Sequence, residues 1–206
     1  MNNIIKIINN IKKYIILFAL ISFSFGAHSA QYKIYNHDKD SNKATLIING
    51  DIESGEYLKF IHFLSEGTHD ISSVILQSNG GYLNDAIKIA NYINKSGWNT
   101  DVETYCNSSC VIMFLSGKDR TAYEKSHIGA HSPYYGDLRN SYTQDLKNSA
   151  LYHRLFKILS RYLNNIKISR EIINKMYDTP SRNRLELNNG NHNHPWKVMS
   201  TSFLYS

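Results

Sequence analysis

The amino-acid sequence predicts an α/β protein with a mainly parallel sheet, and three observations point there. Apolar, β-branched runs recur at Ala44–Ile52, Ile71–Gln77 and Thr100–Tyr105. Between them lie stretches whose apolar residues repeat at helical spacing, and glycines stand at the junctions. Strands separated by helices pair in parallel through right-handed crossovers, which sets the fold class. With 206 residues, 42% hydrophobic and 19% charged, the chain suits one globular domain with a sizeable core.

Each element has its own justification. Lys6, Lys12 and Lys13 precede the apolar run Tyr14–Phe25 and the small residues ending at Ala30, so residues 1–30 read as a signal peptide, cleaved after Ala30. His28 is the departure from that pattern, and an uncleaved anchor is the alternative. Residues 31–206 then form a single domain. Export places the chain in an oxidising compartment, periplasmic or secreted. Losing the three lysines of the leader lowers the formal net charge from +6 to +3. No basic block interleaved with aromatics remains, which argues against nucleic acid as a partner. A membrane enters only if the leader stays attached.

Gln31–Tyr35 is expected as a short strand and Ala44–Ile52 as a buried one. Ser54 is the expected N-cap of a helix with Glu56 in its first turn and Gly67 as its stop. Ile71–Gln77 leads through Ser78-Asn79-Gly80-Gly81 into a helix with the stripe Leu83, Ala86, Ile87, Ala90 and Ile93, closed by Gly97. Thr100–Tyr105 is read as one strand, followed by a helix from near Ser108 to Gly117, then strands at Arg120–Glu124 and His127–His131. Ser141–Asn164 reads as a long amphipathic helix, and Ser169 caps a shorter one through Met176. The tail Asn188–Ser206 is polar and then apolar, suiting a last strand.

Three segments carry chemistry: Ser78-Asn79-Gly80-Gly81, Tyr105-Cys106-Asn107-Ser108-Ser109-Cys110 and Ile128-Gly129-Ala130-His131-Ser132-Pro133. A serine hydroxyl needs a base to accept its proton, and imidazole titrates in the right range. Ser108 at the mouth of a helix also sits where negative charge is favoured. The bland reading of Ser108 is a helix N-cap, that of the glycine pair a tight turn, and that of His131 a structural histidine. Ser109 is a competing nucleophile. The pair His192 and His194 falls short of a zinc site, so no metal and no other cofactor is expected.

The order and spacing of these motifs resemble the Clp protease proteolytic subunit and its exported relatives, within the ClpP/crotonase-like superfamily, over roughly Leu46–Leu187. The resemblance implies a ClpP/crotonase-like fold of repeated β-β-α units with a C-terminal helical extension. It implies Ser108 as nucleophile, His131 as general base, and the Gly81 and Ser109 amides as the oxyanion hole. The orienting aspartate of the family falls on Asn183, with Asp178 as the alternative. Cys106 and Cys110 flank Ser108, either as a disulfide that stiffens the turn or as two small buried residues. Tyr134 and Tyr135 are candidates for a substrate groove. The function that follows is an exported, ATP-independent serine hydrolase, a peptidase acting on peptides or unfolded protein, with a homo-oligomer implied by the family's rings. Two alternatives remain: a non-catalytic binding or assembly module on the same fold, and an acyl-thioester enzyme that reuses the oxyanion amides.

Overall fold

The computed structural model describes residues 29–36, 43–134, 147–180, 183 and 185–187. The expected leader up to residue 28, the tail from residue 188, Tyr135, and residues 141–146, expected to open the long helix, lie outside these. No helix of the described residues is long and apolar enough to cross a membrane.

Five strands form the main sheet in the order β1 (Gln31–Asn36), β2 (Lys43–Asn49), β3 (Asp70–Gln77), β4 (Asn99–Val102) and β6 (Arg120–Ala122). β1 is antiparallel to β2, and the remaining pairs are parallel. A second sheet sets β7 (His127–Ala130) between β5 (Tyr105–Asn107) and the short β8 (Leu185–Glu186). Along β2, Leu46 and Ile48 are fully buried, as are Val74 and Leu76 on β3. These central strands are covered, which is why their sequences read as apolar runs.

Helices α1 (Glu56–Ser65), α2 (Leu83–Ser96) and α3 (Ser109–Leu115) follow strands, and α4 (Ala150–Asn165) and α5 (Arg170–Asp178) form the C-terminal extension. Every residue of α3 is buried, and it packs against α2, β3, β4, β5 and β7. A buried helix end must satisfy its last carbonyls internally. Thr100 Oγ1 donates to the Phe114 carbonyl at 2.7 Å, Ser116 Oγ to that of Ile112 at 2.6 Å, and Arg120 Nη1 to that of Leu115 at 2.7 Å. Arg120, 1% exposed, is therefore a cation placed at the negative end of α3.

The fold is mixed α/β with a mainly parallel sheet, as expected, and three elements differ in detail. Thr100–Tyr105 is not one strand: the chain bends at Glu103-Thr104, so that β4 stays in the main sheet and β5 pairs with β7 in the second. Ser54 does not cap α1. The N-cap is Gly55 at φ 87°, and the first-turn amide of Tyr57 donates instead to Asp85 Oδ1 of α2 at 3.2 Å. The long helix begins at Ala150, where the Ser149 hydroxyl accepts from the Tyr152 amide. Gly97 closes α2 at φ 67° and Ser169 caps α5, both as expected. Ser29 and Ala30, the last residues of the expected leader, already belong to the domain. The Ala30 amide donates to the Asp51 carbonyl at 2.9 Å, and Ser29 Oγ donates to the buried carboxylate of Glu56 at 3.1 Å.

Candidate active site

The bend after β4 carries the chain into the second sheet and ends β5 at Asn107, next to the start of α3. Ser108 makes that turn at φ 56° and ψ −126°, a conformation that costs a non-glycine residue about 1–3 kcal/mol. It is held there from both sides. Its amide donates to the Gly129 carbonyl of β7 at 2.8 Å, while Asn107, paired with Gly129 in register, donates its amide to the Ser78 carbonyl at 2.9 Å. Ser108 stands at the N-cap position of α3, and its side chain makes no capping hydrogen bond. Cys106 and Cys110, both fully buried, are joined as a disulfide that straddles the turn, with Cα atoms 5.3 Å apart.

Each glycine of the upstream turn meets backbone on a different side. A Cβ on Gly80 would stand 2.6 Å from the Asn107 carbonyl oxygen, 2.7 Å from the Ser109 amide nitrogen and 2.8 Å from Ser108 Cβ. A Cβ on Gly81 would overlap the Ile52 carbonyl oxygen. Both residues also have positive φ, 90° and 136°, so neither position admits a side chain without strain. Ser78, fully buried, turns its hydroxyl to accept from the Gly80 amide at 3.0 Å. Asn107 Nδ2 donates to Asn79 Oδ1 at 3.3 Å, tying the two turns together. The bridge between Ile52 and Gly81 uses the Gly80 carbonyl and the Tyr82 amide, and the Gly81 N–H takes no part in it. Ser109 opens α3, where amides have no intrahelical acceptor. Through the contact of Gly80 with Ser109, the two expected oxyanion donors belong to one packed unit.

Parallel pairing of β5 with β7 brings the His131 segment to the same end of the second sheet as Ser108. His131 follows β7 directly, half-buried, with Nδ1 2.8 Å from the Ser132 carbonyl oxygen and its ring 5.8 Å from that of Tyr134. Ser132 is 1% exposed, and its amide donates to the Thr179 carbonyl at 2.9 Å. The segment that holds the candidate third members thus meets the histidine strand through main chain. Asp178 itself is 73% exposed and faces Lys147 at 3.9 Å. Asn183 is exposed, and its amide donates to the Pro180 carbonyl at 2.9 Å.

The chain is similar in structure to Clp-type proteases. A mutant of ClpP1 from Listeria monocytogenes matches at 18% identity over 70% of this chain and 83% of that one, with a TM-score of 0.49. A mutant of the 1510-N membrane-bound stomatin-specific protease matches at 17% identity over 66% and 72%, with a TM-score of 0.47. A probable enoyl-CoA hydratase/isomerase from Mycobacterium abscessus matches at 11% identity over 78% and 65%, with a TM-score of 0.44. No family model and no curated protein matches the sequence. At these identities the likeness is one of fold, and the roles of the residues are argued from their own geometry.

Three local features escaped the sequence reading: the Ser78 hydroxyl that sets the glycine turn, the closeness of Gly80 to the Ser108 turn, and the bond between His131 and Ser132. The first had a signal, since a serine two residues before a glycine is a common side-chain turn. His192 and His194 lie outside the described residues.

Proposed function

We propose that the chain is an exported, ATP-independent serine hydrolase of the peptidase kind. The observation that carries this reading is Ser108: a serine kept in a costly backbone conformation, with its side chain left out of capping, beside two amides outside the backbone ladders. Strain of this kind persists where the surroundings impose it, and it recurs at nucleophile turns between a strand and a helix. In the reaction Ser108 Oγ attacks the carbonyl carbon of a peptide bond and passes its proton to His131. The oxyanion is bound by the Gly81 and Ser109 amides, where loss of one donor typically costs about 2.7–4 kcal/mol. His131 gives the proton to the leaving amine, and water then releases the acyl group by the same route.

Export sets the chain apart from ATP-driven unfoldases, so its substrates are peptides and already unfolded chains. Tyr134, lying against His131, lines the approach. A self-assembling form is part of the same reading. The exposure of Asp178 and Asn183 favours a second reading, a binding or assembly module without turnover. Hydrolysis of short fluorogenic peptides and of unfolded protein, without nucleotide, tests between them. Release that disappears in Ser108→Ala and His131→Gln supports the hydrolase, and equal background in all three proteins supports the module.

A further inference from the structure

We propose that leader processing spares Ser29 and Ala30, and that the bond hydrolysed is the one between Gly26 and Ala27. Water adds across that bond, leaving a carboxylate on the leader and an amino group on Ala27. The inference rests on the export that the proposed function includes. Processing of an exported chain favours small residues in the first and third places before the bond cut. Cleavage after Ala30 puts His28 in the third place. Two neighbouring registers put small residues in both: Ser24 and Gly26 ahead of Ala27, or Ala27 and Ser29 ahead of Ala30. The fold separates them, because only the first keeps Ser29.

Ser29 is a link in a chain of hydrogen bonds. Lys59 Nζ donates to Ser29 Oγ at 2.6 Å, and Ser29 Oγ donates to Glu56 Oε2 at 3.1 Å. Glu56 is fully buried, and its other carboxylate oxygen accepts from the Tyr32 hydroxyl at 2.9 Å. Without Ser29, Oε2 would keep two longer contacts, the Glu53 amide at 3.4 Å and Lys59 at 3.5 Å. A buried carboxylate that loses its closest donor bears the cost of its own desolvation. Ala30 is held as well. It lies in the hydrophobic core, and its amide donates to the Asp51 carbonyl at 2.9 Å. Asp51 and Ile52 in turn back the glycine turn: Asp51 Oδ1 accepts from the Asn79 amide at 3.4 Å, and the Ile52 amide donates to the Gly80 carbonyl at 2.8 Å. A cut after Ser29 removes the link to Glu56, and a cut after Ala30 removes the brace on Asp51 too.

The test expresses the full chain in a bacterial host and reads the N-terminus of the exported protein by intact mass. The expected species begins at Ala27. Gly26→Leu should lose that species, while Ser29→Leu and Ala30→Leu, which block the other two registers, should still be cut before Ala27. In the processed protein Ser29→Ala should lower Tm by about 2–6 °C, since a bond to a buried carboxylate is lost. Should the leucine variants fail to fold, their N-termini are still read from the denatured chain. A processed protein with any other N-terminus overturns the proposal and leaves export standing, and a Ser29→Ala protein with the wild-type Tm does the same. An exported chain that keeps its leader overturns the proposal in favour of the uncleaved anchor. A chain retained unprocessed in the cytoplasm overturns the export reading and the proposal with it, and leaves the chemistry of Ser108 to its own tests.

Discussion

Replacing Ser108 by alanine and by glycine separates a strained nucleophile from a helix cap. At φ 56° and ψ −126° an L-residue carries about 1–3 kcal/mol of strain that glycine does not. Glycine gives back about 0.4–1 kcal/mol through its freer unfolded chain. Ser108→Gly should therefore be more stable than wild type by about 1 kcal/mol, a rise in Tm of roughly 2–4 °C for a chain of this size. Ser108→Ala keeps the strain and loses a hydroxyl that makes no capping bond, so its stability should stay within about 0.5 kcal/mol of wild type. The expected order is glycine above serine, with alanine level with serine. A capping serine gives another order: alanine loses about 0.5–2 kcal/mol and glycine a few tenths. Urea unfolding followed by circular dichroism at matched m-values measures all three. An alanine variant more than about 1 kcal/mol below wild type, with glycine no better than serine, would refute the strain argument.

Gly80→Ala should lose the site and more than about 2 kcal/mol of stability, because its methyl would meet the Asn107 carbonyl and the Ser109 amide; peptide hydrolysis and urea midpoints read both effects. The Tyr162 phenol is buried and bonded to Ser116 Oγ, and burial pushes its pKa from 10.0 up to about 12. The unfolded chain gives up that proton first, so the contribution is whole below pH 10 and is lost as pH rises towards 12. The loss amounts to about 3 kcal/mol. Unfolding free energies over that range should fall less steeply in Tyr162→Phe than in wild type, and equal slopes would contradict the assignment. Reduction of Cys106–Cys110 should lower stability by on the order of 2 kcal/mol, the loop-entropy value for so short a ring, and should slow hydrolysis by loosening the Ser108 turn. A Cys106→Ala/Cys110→Ala protein with full activity would show that the bond serves the fold alone.

Much of the fold was legible because it depends on local pattern. The apolar runs of β2 and β3, the glycine that closes α2 and the serine that caps α5 are all set by a residue and its near neighbours. The cap of α1 was not, because Asp85 reaches its first turn from another helix, 28 residues away in sequence. The division of Thr100–Tyr105 was also hidden. Nothing in the residue types says that Val102 ends in one sheet and Tyr105 begins in another; partners β6 and β7 decide it.

The site divides along the same line. Motif order singled out Ser108, Ser109, Gly81 and His131; the geometry packs Gly80, the neighbour of Gly81, against the turn of Ser108 and Ser109, and pairs the strand leading to His131 beside it. The strain at Ser108 was invisible in sequence, since it arises from bonds to Gly129 and from the approach of Gly80. Asn183 and Asp178, the third side chains that the motif pattern offers, are both exposed. Nδ1 of His131 lies 2.8 Å from the Ser132 carbonyl oxygen, a contact that no motif records.

The most direct measurement is covalent labelling of the folded protein with a fluorophosphonate, with the adduct mapped by peptide mass spectrometry. The account predicts one adduct, on Ser108, absent in Ser108→Ala and strongly slowed in His131→Gln. A folded protein that takes no label, or takes it on Ser109, would contradict it.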